Sequence, residues 1–269
     1  VRTAQNPKTT VNIAIVGKYV NVVDSYKSLH EAITHGAIAN EARVVIDYVD
    51  SLELEKGNPA TRLANAHAII IPGGFGERGI EGKIRAVTYA RENKAPILGI
   101  CLGLQVMVIE FARNLLGLKQ ANSREFAENT PDPVIDIMED QKGVARKCGT
   151  MRLGAYPCVI RPGSLAAQLY RRGKVYERHR HRYEVNNAYR AALETAGLMA
   201  TGASPDDRLV EIMELSGHPW FLGSQFHPEL KSRPLDPHPL FRGLVRAAVE
   251  RRAGQKTERP KVRALRPVS

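Results

Sequence analysis

The sequence predicts an α/β fold in which a mainly parallel central sheet is flanked by helices. Apolar runs of strand length alternate along the chain with segments whose apolar residues recur at helical spacing, which is typical of parallel α/β domains. At 269 residues the chain can bury a substantial core as one domain, and no internal repeat or linker divides it.

The alternation of strands and helices is clearest in the first half of the chain. In residues 80–93, for example, Ile80, Ile84 and Val87 recur at helical spacing. The predicted strands are residues 11–16, 43–49, Ala68–Ile71 and Ile97–Ile100, and the predicted helices are residues 25–39, 80–93 and 102–116.

The second half is predicted to contain shorter β segments and a closing helix, which add to the parallel core. The β segments lie near Ile135 and at residues 151–160, Tyr183–Val185, 209–215 and 221–226. The closing helix has five apolar residues on one face: Leu240, Phe241, Leu244, Val245 and Ala248.

Cys101 stands between a predicted strand and a predicted helix, in the run Gly99-Ile100-Cys101-Leu102-Gly103. This G-x-C-x-G spacing is that of a nucleophile elbow with cysteine in place of serine. Glycines suit the sharp turn, and the N–H groups and dipole at a helix N-terminus favour the thiolate form that attacks carbonyl carbons. An isolated cysteine is more often structural, so the hypothesis needs a partner residue.

His227 and Glu229 supply that partner. They follow the apolar run 220–226 in the tripeptide His-Pro-Glu, where a strand is predicted to end. His227 can take the thiol proton, and Glu229 can orient the imidazole, as the acid of a Ser-His-Asp triad does. We therefore interpret Cys101, His227 and Glu229 as catalytic residues.

The glycine-rich loop Pro72-Gly73-Gly74-Phe75-Gly76 precedes the elbow. Acyl transfer needs donors aimed at a developing oxyanion, and backbone N–H groups in such a loop can supply them. The N–H groups of Gly74 and Leu102 are the candidates, with Phe75 as a pocket wall. The loop lacks the lysine and the serine or threonine of a phosphate-binding loop.

The run Gly-Ile-Cys-Leu-Gly-Leu-Gln at residues 99–105, with Phe-His-Pro-Glu at 226–229, resembles the class I (triad) glutamine amidotransferases. Within that family, the C-terminal domains of CTP synthases are similar in five further stretches, at residues 16–20, 72–76, 122–126, 149–155 and 177–187. The similarity runs from about residue 11 to residue 246. It implies a flavodoxin-like architecture with additional β segments and hydrolysis of L-glutamine through a thioester.

The resemblance also implies substrate-binding residues. Glu125 matches the family position that meets the glutamine ammonium, and Arg182 matches the position near its carboxylate, which suits a guanidinium. The amide end is expected to be lined by Leu102, Gly103, Leu104 and Gln105. Arg78, Gly79 and Glu81 match a loop tied to activation by GTP.

The same resemblance implies partners outside this chain. Ammonia would pass to an N-terminal synthase domain that uses ATP and Mg²⁺ to aminate UTP, with GTP as an allosteric activator, in a homotetramer. No cofactor is expected in this domain. The chain begins at Val1, which suggests a piece of a longer protein. Three cysteines without a signal peptide indicate the cytoplasm, and no apolar run is long enough to span a membrane.

The formal net charge of +11 is concentrated in two segments, residues 161–190 and 251–269. The predicted boundaries are the end of an interdomain linker at residues 1–10, the amidotransferase domain at 11–250 and a basic, disordered tail at 251–269. A solvated tail is the commoner outcome for such a segment, so nucleic acid is not the expected partner.

Two alternative functions and two metal sites compete with this interpretation. A stand-alone Cys-His hydrolase such as a γ-glutamyl hydrolase has the same fold, and a non-catalytic nucleic-acid-binding module would use the basic tail. His179 and His181 share a strand face but have no Cys or Asp cluster beside them. His30 and His35 lie five residues apart and point about 140° away from each other on a helix. No metal site is predicted.

Overall fold

The computed structural model describes residues 5–18, 26–137 and 151–258. Five parts of the predictions lie outside these residues: positions 1–4 of the expected linker, the motif residues Tyr19 and Val20, residue 25 at the predicted start of the first helix, the motif residues Gly149 and Thr150, and positions 259–269 of the expected tail.

The first half alternates between strands and helices as predicted. Its strands are β1 (Thr9–Gly17), β2 (Ala42–Asp50), β3 (Ala68–Ile71) and β4 (Ile97–Ile100). Its helices are α1 (Lys27–Ala39), α2 (Ser51–Lys56), α3 (Pro59–Leu63), α4 (Ile80–Glu92) and α5 (Leu102–Asn114).

The second half is richer in strands. These are β5 (Asn122–Ser123), β6 (Pro133–Ile137), β7 (Arg152–Ile160), β8 (Lys174–His181), β9 (Tyr183–Val185), β10 (Leu198–Ala203), β11 (Val210–Leu215) and β12 (Phe221–Ser224). The helices are α6 (Leu165–Tyr170), α7 (Asn187–Thr195), a 3₁₀ turn (Pro228–Leu230) and α8 (Pro239–Glu258).

Within the described residues, nine strands form the main sheet in the order β2-β1-β3-β4-β12-β11-β10-β7-β8. Neighbours from β2 to β12 are parallel, and neighbours from β12 to β8 are antiparallel. Strands β5, β6 and β9 form a separate small sheet. The predicted α/β class is confirmed, and the additional β segments lie in the antiparallel half of the main sheet and in the small sheet.

The parallel half is covered by helices on both faces, which is why β3 and β4 are apolar and buried at every position. Ile33 of α1 and Phe241 of α8 belong to the core on one face. Val87 of α4 and Val106 of α5 belong to the core on the other face. The two residues that follow β4 belong to different layers: Cys101 to the first core and Leu102 to the second.

The predicted boundary between domain and tail needs correction. Helix α8 continues through Glu258, past residue 250. The guanidinium of Arg251 donates to the carbonyls of Asn93 at 3.1 Å and Lys94 at 2.8 Å, and Arg252 donates to Thr9 Oγ1 at 2.5 Å. Composition alone assigns this basic segment to a tail, but these long-range contacts hold its first residues in a helix.

None of the helices in the described residues combines the length and apolar character that crossing a bilayer requires.

Candidate active site

Cys101 occupies the strained turn that the motif predicts. Its φ of 52° and ψ of −104° fall where L side chains are rarely found, and it precedes the first residue of α5. The Cys101 N–H donates to the Ser224 carbonyl at 2.7 Å, which ties the turn to β12. A methyl group on Gly103 would lie 2.1 Å from the Ile71 carbonyl oxygen, so glycine is needed for α5 to approach β3. Only 3% of Cys101 is exposed.

His227 and Glu229 meet beside this turn, just past the end of β12. The Nδ1 atom of His227 lies 2.7 Å from Oε1 of Glu229, and the His227 N–H donates to the Arg178 carbonyl at 2.8 Å. The 3₁₀ turn that begins at Pro228 brings Glu229 back to the imidazole. Burial lowers the pKa of His227, but Cys101 and Glu229 outweigh it and raise the pKa to about 10.

A cavity of about 520 Å³ opens next to these groups, and Cys101, His227 and Glu229 all line it. A methyl group on Gly73 would lie 2.9 Å from His227 Cε1 and 3.7 Å from Cys101 Cβ, so Gly73 lies against both side chains. On the interior side, the Gln225 amide nitrogen lies 3.7 Å from the Cys101 sulfur. The sulfur is therefore held between the cavity and a polar interior.

The glycine loop forms one wall of the cavity, where Gly73, Gly74 and Phe75 contribute. A Cβ on Gly74 would lie 3.4 Å from Cδ2 of Leu102, so the two predicted oxyanion donors belong to neighbouring residues. Phe75 is 51% exposed, and its ring centroid lies 5.8 Å from the Arg180 guanidinium. Lys18 Nζ donates to the Phe75 carbonyl at 2.8 Å and thereby anchors the loop.

Glu125 and Arg182 lie near the Gly76 end of the same loop. Oε1 of Glu125 accepts a hydrogen bond from the Gly76 N–H at 2.8 Å. Burial raises the pKa of Glu125, while the Gly76 hydrogen bond and the charges of Lys18 and Arg182 act in the opposite direction. Glu125 and Arg182 therefore interact electrostatically, although the residues that line the 520 Å³ cavity include neither.

The other predicted amide-end residues are packed into the protein. A methyl group on Gly223 would lie 3.0 Å from the Leu104 side chain, which places Leu104 against β12. The side-chain amide of Gln105 donates to the Tyr183 carbonyl at 2.8 Å and lies 3.4 Å from the Gln225 amide oxygen. Gln105 therefore reaches Cys101 through Gln225.

The three residues of the predicted GTP loop have different surroundings. Arg78 lines a cavity of about 230 Å³ together with Lys18 and Phe75. Gly79 has a φ of 75° and precedes α4, a conformation that favours glycine. Glu81 accepts two hydrogen bonds from Arg113, at 2.9 and 3.0 Å.

Sequence reasoning missed several residues that line the cavity, which include Tyr26, Lys27, Ser28 and Arg180. The alternation of Arg and His along β8 could have identified Arg180, because the histidines are buried and the arginines are exposed. Nothing in the sequence marks Lys27, which lies on an exposed helical position.

The histidine pair that was considered as a metal site is engaged within the protein. His179 and His181 hydrogen-bond each other at 2.9 Å, and no cluster of potential metal ligands occurs in the described residues.

Residues 21–247 match the family model for class I glutamine amidotransferases. The chain is 56% identical over 252 residues to a CTP synthase of Syntrophus aciditrophicus, which covers 94% of this chain. It is 58% identical over 250 residues to a CTP synthase of Rubrobacter xylanophilus, which covers 93% of this chain. The chain spans about half the length of these relatives, 47% and 45% respectively.

Two solved structures are similar to this chain. The glutaminase domain of Trypanosoma brucei CTPS, with bound acivicin, has a TM-score of 0.84 and 41% sequence identity, with coverage of 89% of this chain and 94% of that one. A Thermoplasma acidophilum protein that is named after GMP synthase has a TM-score of 0.53 at 16% identity, over 91% of this chain and 98% of that one. The second likeness concerns the fold alone.

Proposed function

Because this chain belongs to the class I glutamine amidotransferase family, we propose that it is the glutamine-hydrolysing part of a CTP synthase, with Cys101, His227 and Glu229 as catalytic residues. The observation that carries the proposal is the strained turn at Cys101 next to a histidine that Glu229 orients. This arrangement contains a nucleophile, a base for its proton and a group that fixes the base.

The first half of the reaction forms a thioester. His227 accepts the Cys101 proton, and the sulfur attacks the carboxamide carbon of glutamine, so that the carbonyl oxygen becomes an oxyanion. The N–H groups of Gly74 and Leu102 stabilise that oxygen. His227 then gives its proton to the amide nitrogen, the C–N bond breaks, and ammonia leaves.

The second half releases glutamate. His227 takes a proton from water, and the resulting hydroxide attacks the thioester carbon. The C–S bond breaks, and the sulfur leaves with the proton that His227 carries. The raised pKa of His227 suits the first half of the reaction, because the imidazolium that forms beside Cys101 persists until the departing nitrogen takes its proton.

Recognition of glutamine is assigned to the charged ends of the site. Glu125 binds the α-ammonium and Arg182 the α-carboxylate, in keeping with their opposite charges near Gly76. Gln105 supports the amide end through Gln225, and Phe75 closes the outer wall. A substrate that lacks the α-amino group is expected to bind more weakly, since the Glu125 carboxylate would then lose its interaction with the substrate ammonium.

The proposal extends to the whole protein. Ammonia passes to an N-terminal synthase domain, where ATP and Mg²⁺ support the amination of UTP, and the assembly is a cytoplasmic homotetramer. Of the residues assigned to GTP activation, Arg78 is the one that we propose contacts the anionic ligand directly, and its position beside Lys18 in the lining of the smaller cavity supports this. Gly79 supplies the turn into α4, and Glu81 is engaged with Arg113.

The test is mass spectrometry after exposure to acivicin, with glutamine as competitor and Cys101→Ala as control. We expect one adduct, on Cys101, that glutamine suppresses and the variant lacks. Cys158 serves as an internal control, because burial raises the pKa of its thiol and keeps it unreactive. Adduct formation that glutamine does not slow, or that persists in Cys101→Ala, would contradict the proposal.

A further inference from the structure

Lys83 is a buried lysine next to the proposed oxyanion donors. It lies in α4, and only 1% of it is exposed. A Cβ on Gly74 would lie 4.0 Å from Lys83 Nζ and 3.4 Å from Cδ2 of Leu102. The Lys83 amine therefore lies beside the residue pair to which the oxyanion is assigned.

The other buried basic side chain in the part of the chain that the structure describes, apart from the histidines, has an acidic partner: Arg152 lies 2.7 Å from Oε1 of Glu211. The partly buried Arg91 likewise lies 2.9 Å from Oε1 of Glu110. The Lys83 side chain, by contrast, makes no hydrogen bond or ion pair with any described residue, and the hydrogen bond of this residue to Gly79 comes from its backbone N–H. A lysine buried without a partner is unfavourable for folding, and a methionine would fill the same space without that penalty.

We propose that Lys83 is a positioning residue of the glutaminase reaction, whose ammonium stabilises the negative charge that develops at Cys101 and at the oxyanion next to Gly74. The inference rests on the proposed function. In a buried site a cation acts on nearby charge with little screening, so it can assist the reaction without touching the substrate.

The charges around Lys83 support this role. Burial, and to a smaller extent the charge of Lys18, lower the pKa of Lys83, Cys101 acts in the opposite direction, and the resulting pKa is about 7. Lys83 can therefore take up a proton when the sulfur becomes negative. Lys18 and Cys101 are the charged groups that act on the pKa of Lys83. Of the acidic residues on the helices around it, Glu81 of α4 is paired with Arg113 and Glu110 of α5 with Arg91, while Glu55 of α2 lies against Gly82.

The test compares Lys83→Met with the wild-type chain and with Lys119→Met. Lys119 is exposed and follows the far end of α5, roughly 20 Å from Cys101 by the length of that helix. The first readout is the rate of Cys101 modification by acivicin between about pH 6 and pH 9. The second is the temperature of unfolding of each variant.

For Lys83→Met we expect modification to slow by about tenfold or more at pH 6, and the deficit to shrink towards pH 9, where wild-type Lys83 is also neutral. We expect its unfolding temperature to rise, because an unpaired buried charge is removed. Lys83→Gln, which also lacks the charge, should show the same pH-dependent deficit. Lys119→Met should match the wild type in both readouts.

Two results would overturn the inference. One is modification of Lys83→Met at the wild-type rate at every pH. The other is a deficit that does not vary with pH and accompanies a lower unfolding temperature, since that combination indicates a packing role. Failure of the proposed function is distinguishable, because glutamine would then fail to protect Cys101 in the wild-type chain itself.

Discussion

At the scale of single residues, the backbone of Cys101 stores strain that the fold imposes. Its φ of 52° and ψ of −104° are accessible to glycine but unfavourable for any side chain with a Cβ. The strain persists because the Cys101 N–H is bonded to β12 and α5 begins at the next residue. A nucleophile at this turn is thereby presented to the cavity instead of the core.

This strain leads to a stability prediction. Cys101→Gly should unfold with a larger free energy than Cys101→Ala, by about 1–2 kcal/mol, although both lack the sulfur. Urea denaturation of the two variants measures the difference. Equal stability would mean that the turn relaxes when the thiol is removed. Both variants should have lost modification by acivicin.

The titration of His227 leads to a second prediction, which concerns the pH dependence of the free energy of unfolding. Its pKa in the folded chain is raised to about 10, above the ordinary histidine value, so its contribution to stability is complete below about pH 6.5 and is lost as the pH rises through about 10. Cys101 and Glu229 both raise this pKa, and Glu229→Gln weakens the second of these two interactions. The free energy of unfolding of the wild type should therefore fall more steeply between pH 7 and pH 10 than that of Glu229→Gln, by about 1 kcal/mol or more. Parallel curves for the two proteins would contradict this.

At the scale of secondary-structure elements, the close approach of α5 to β3 positions the nucleophile. A Cβ at Gly103 would lie 2.1 Å from the Ile71 carbonyl oxygen, which is backbone and cannot rotate away. Any side chain here must push α5 off the sheet, and Cys101 moves with the helix. The packing of α5 on β3 and the geometry of the turn at Cys101 are therefore coupled.

Gly103→Ala is expected to destabilise the protein by about 1–3 kcal/mol and to slow modification of Cys101. The matched control is Gly254→Ala in α8, where a Cβ would meet nothing within 4 Å. That change should be neutral or stabilising by about 0.5–1 kcal/mol, because alanine is the better helix former. Thermal unfolding and acivicin modification of both variants provide the comparison. Unchanged modification in Gly103→Ala would show that the turn and the helix move independently.

At the scale of the whole molecule, both halves of the main sheet contribute to the site. Cys101 follows β4 of the parallel half, and Arg180 of β8 in the antiparallel half lines the same cavity. Strands β7, β8, β9 and β11 bring together a buried group of charged and polar side chains: Arg152, His179, His181, Glu184 and Glu211. Burial, followed by the charge of Arg152, lowers the pKa of His179 to about 2 and that of His181 to about 3, so both rings are neutral. Arg152 is thus the cation that balances the two glutamates.

Arg152→Met should be strongly destabilising, and more so at high pH. Burial raises the pKa of Glu211 to about 7 even with Arg152 present, so the Glu211 contribution to stability is complete below its ordinary pKa and is lost as the pH rises through about 7. Removing Arg152 leaves Glu211 without its partner at 2.7 Å. We expect a loss of about 3–5 kcal/mol at pH 8 and less at pH 5, where Glu211 is protonated.

Urea unfolding of Arg152→Met at the two pH values measures this difference. The exposed Arg161 provides the control variant Arg161→Met, which should be close to the wild type at both pH values. A cost for Arg152→Met that is the same at pH 5 and pH 8 would contradict the assigned titration of Glu211.

Much of the parallel half could be predicted because its signals are local. Apolar runs define β3 and β4, and helical spacing defines α4 and α5. The short helices α2, α3, α6 and α7 were not predicted, since each has few residues in which a periodic pattern can show. The helical continuation of α8 depends on contacts of Arg251 with Asn93 and Lys94, which are distant in sequence.

The sequence by itself determined the fold class, the elbow at Cys101 and the pairing hypothesis with His227 and Glu229, because those features lie within short runs whose chemistry is local. The tertiary structure alone decided which side chains share the cavity, since Lys27, Arg180 and Cys101 come from separate elements. It also decided that the Lys83 side chain is buried without an acidic partner among the described residues. Burial and the absence of a partner among the described residues depend on how elements pack, and no local pattern encodes them.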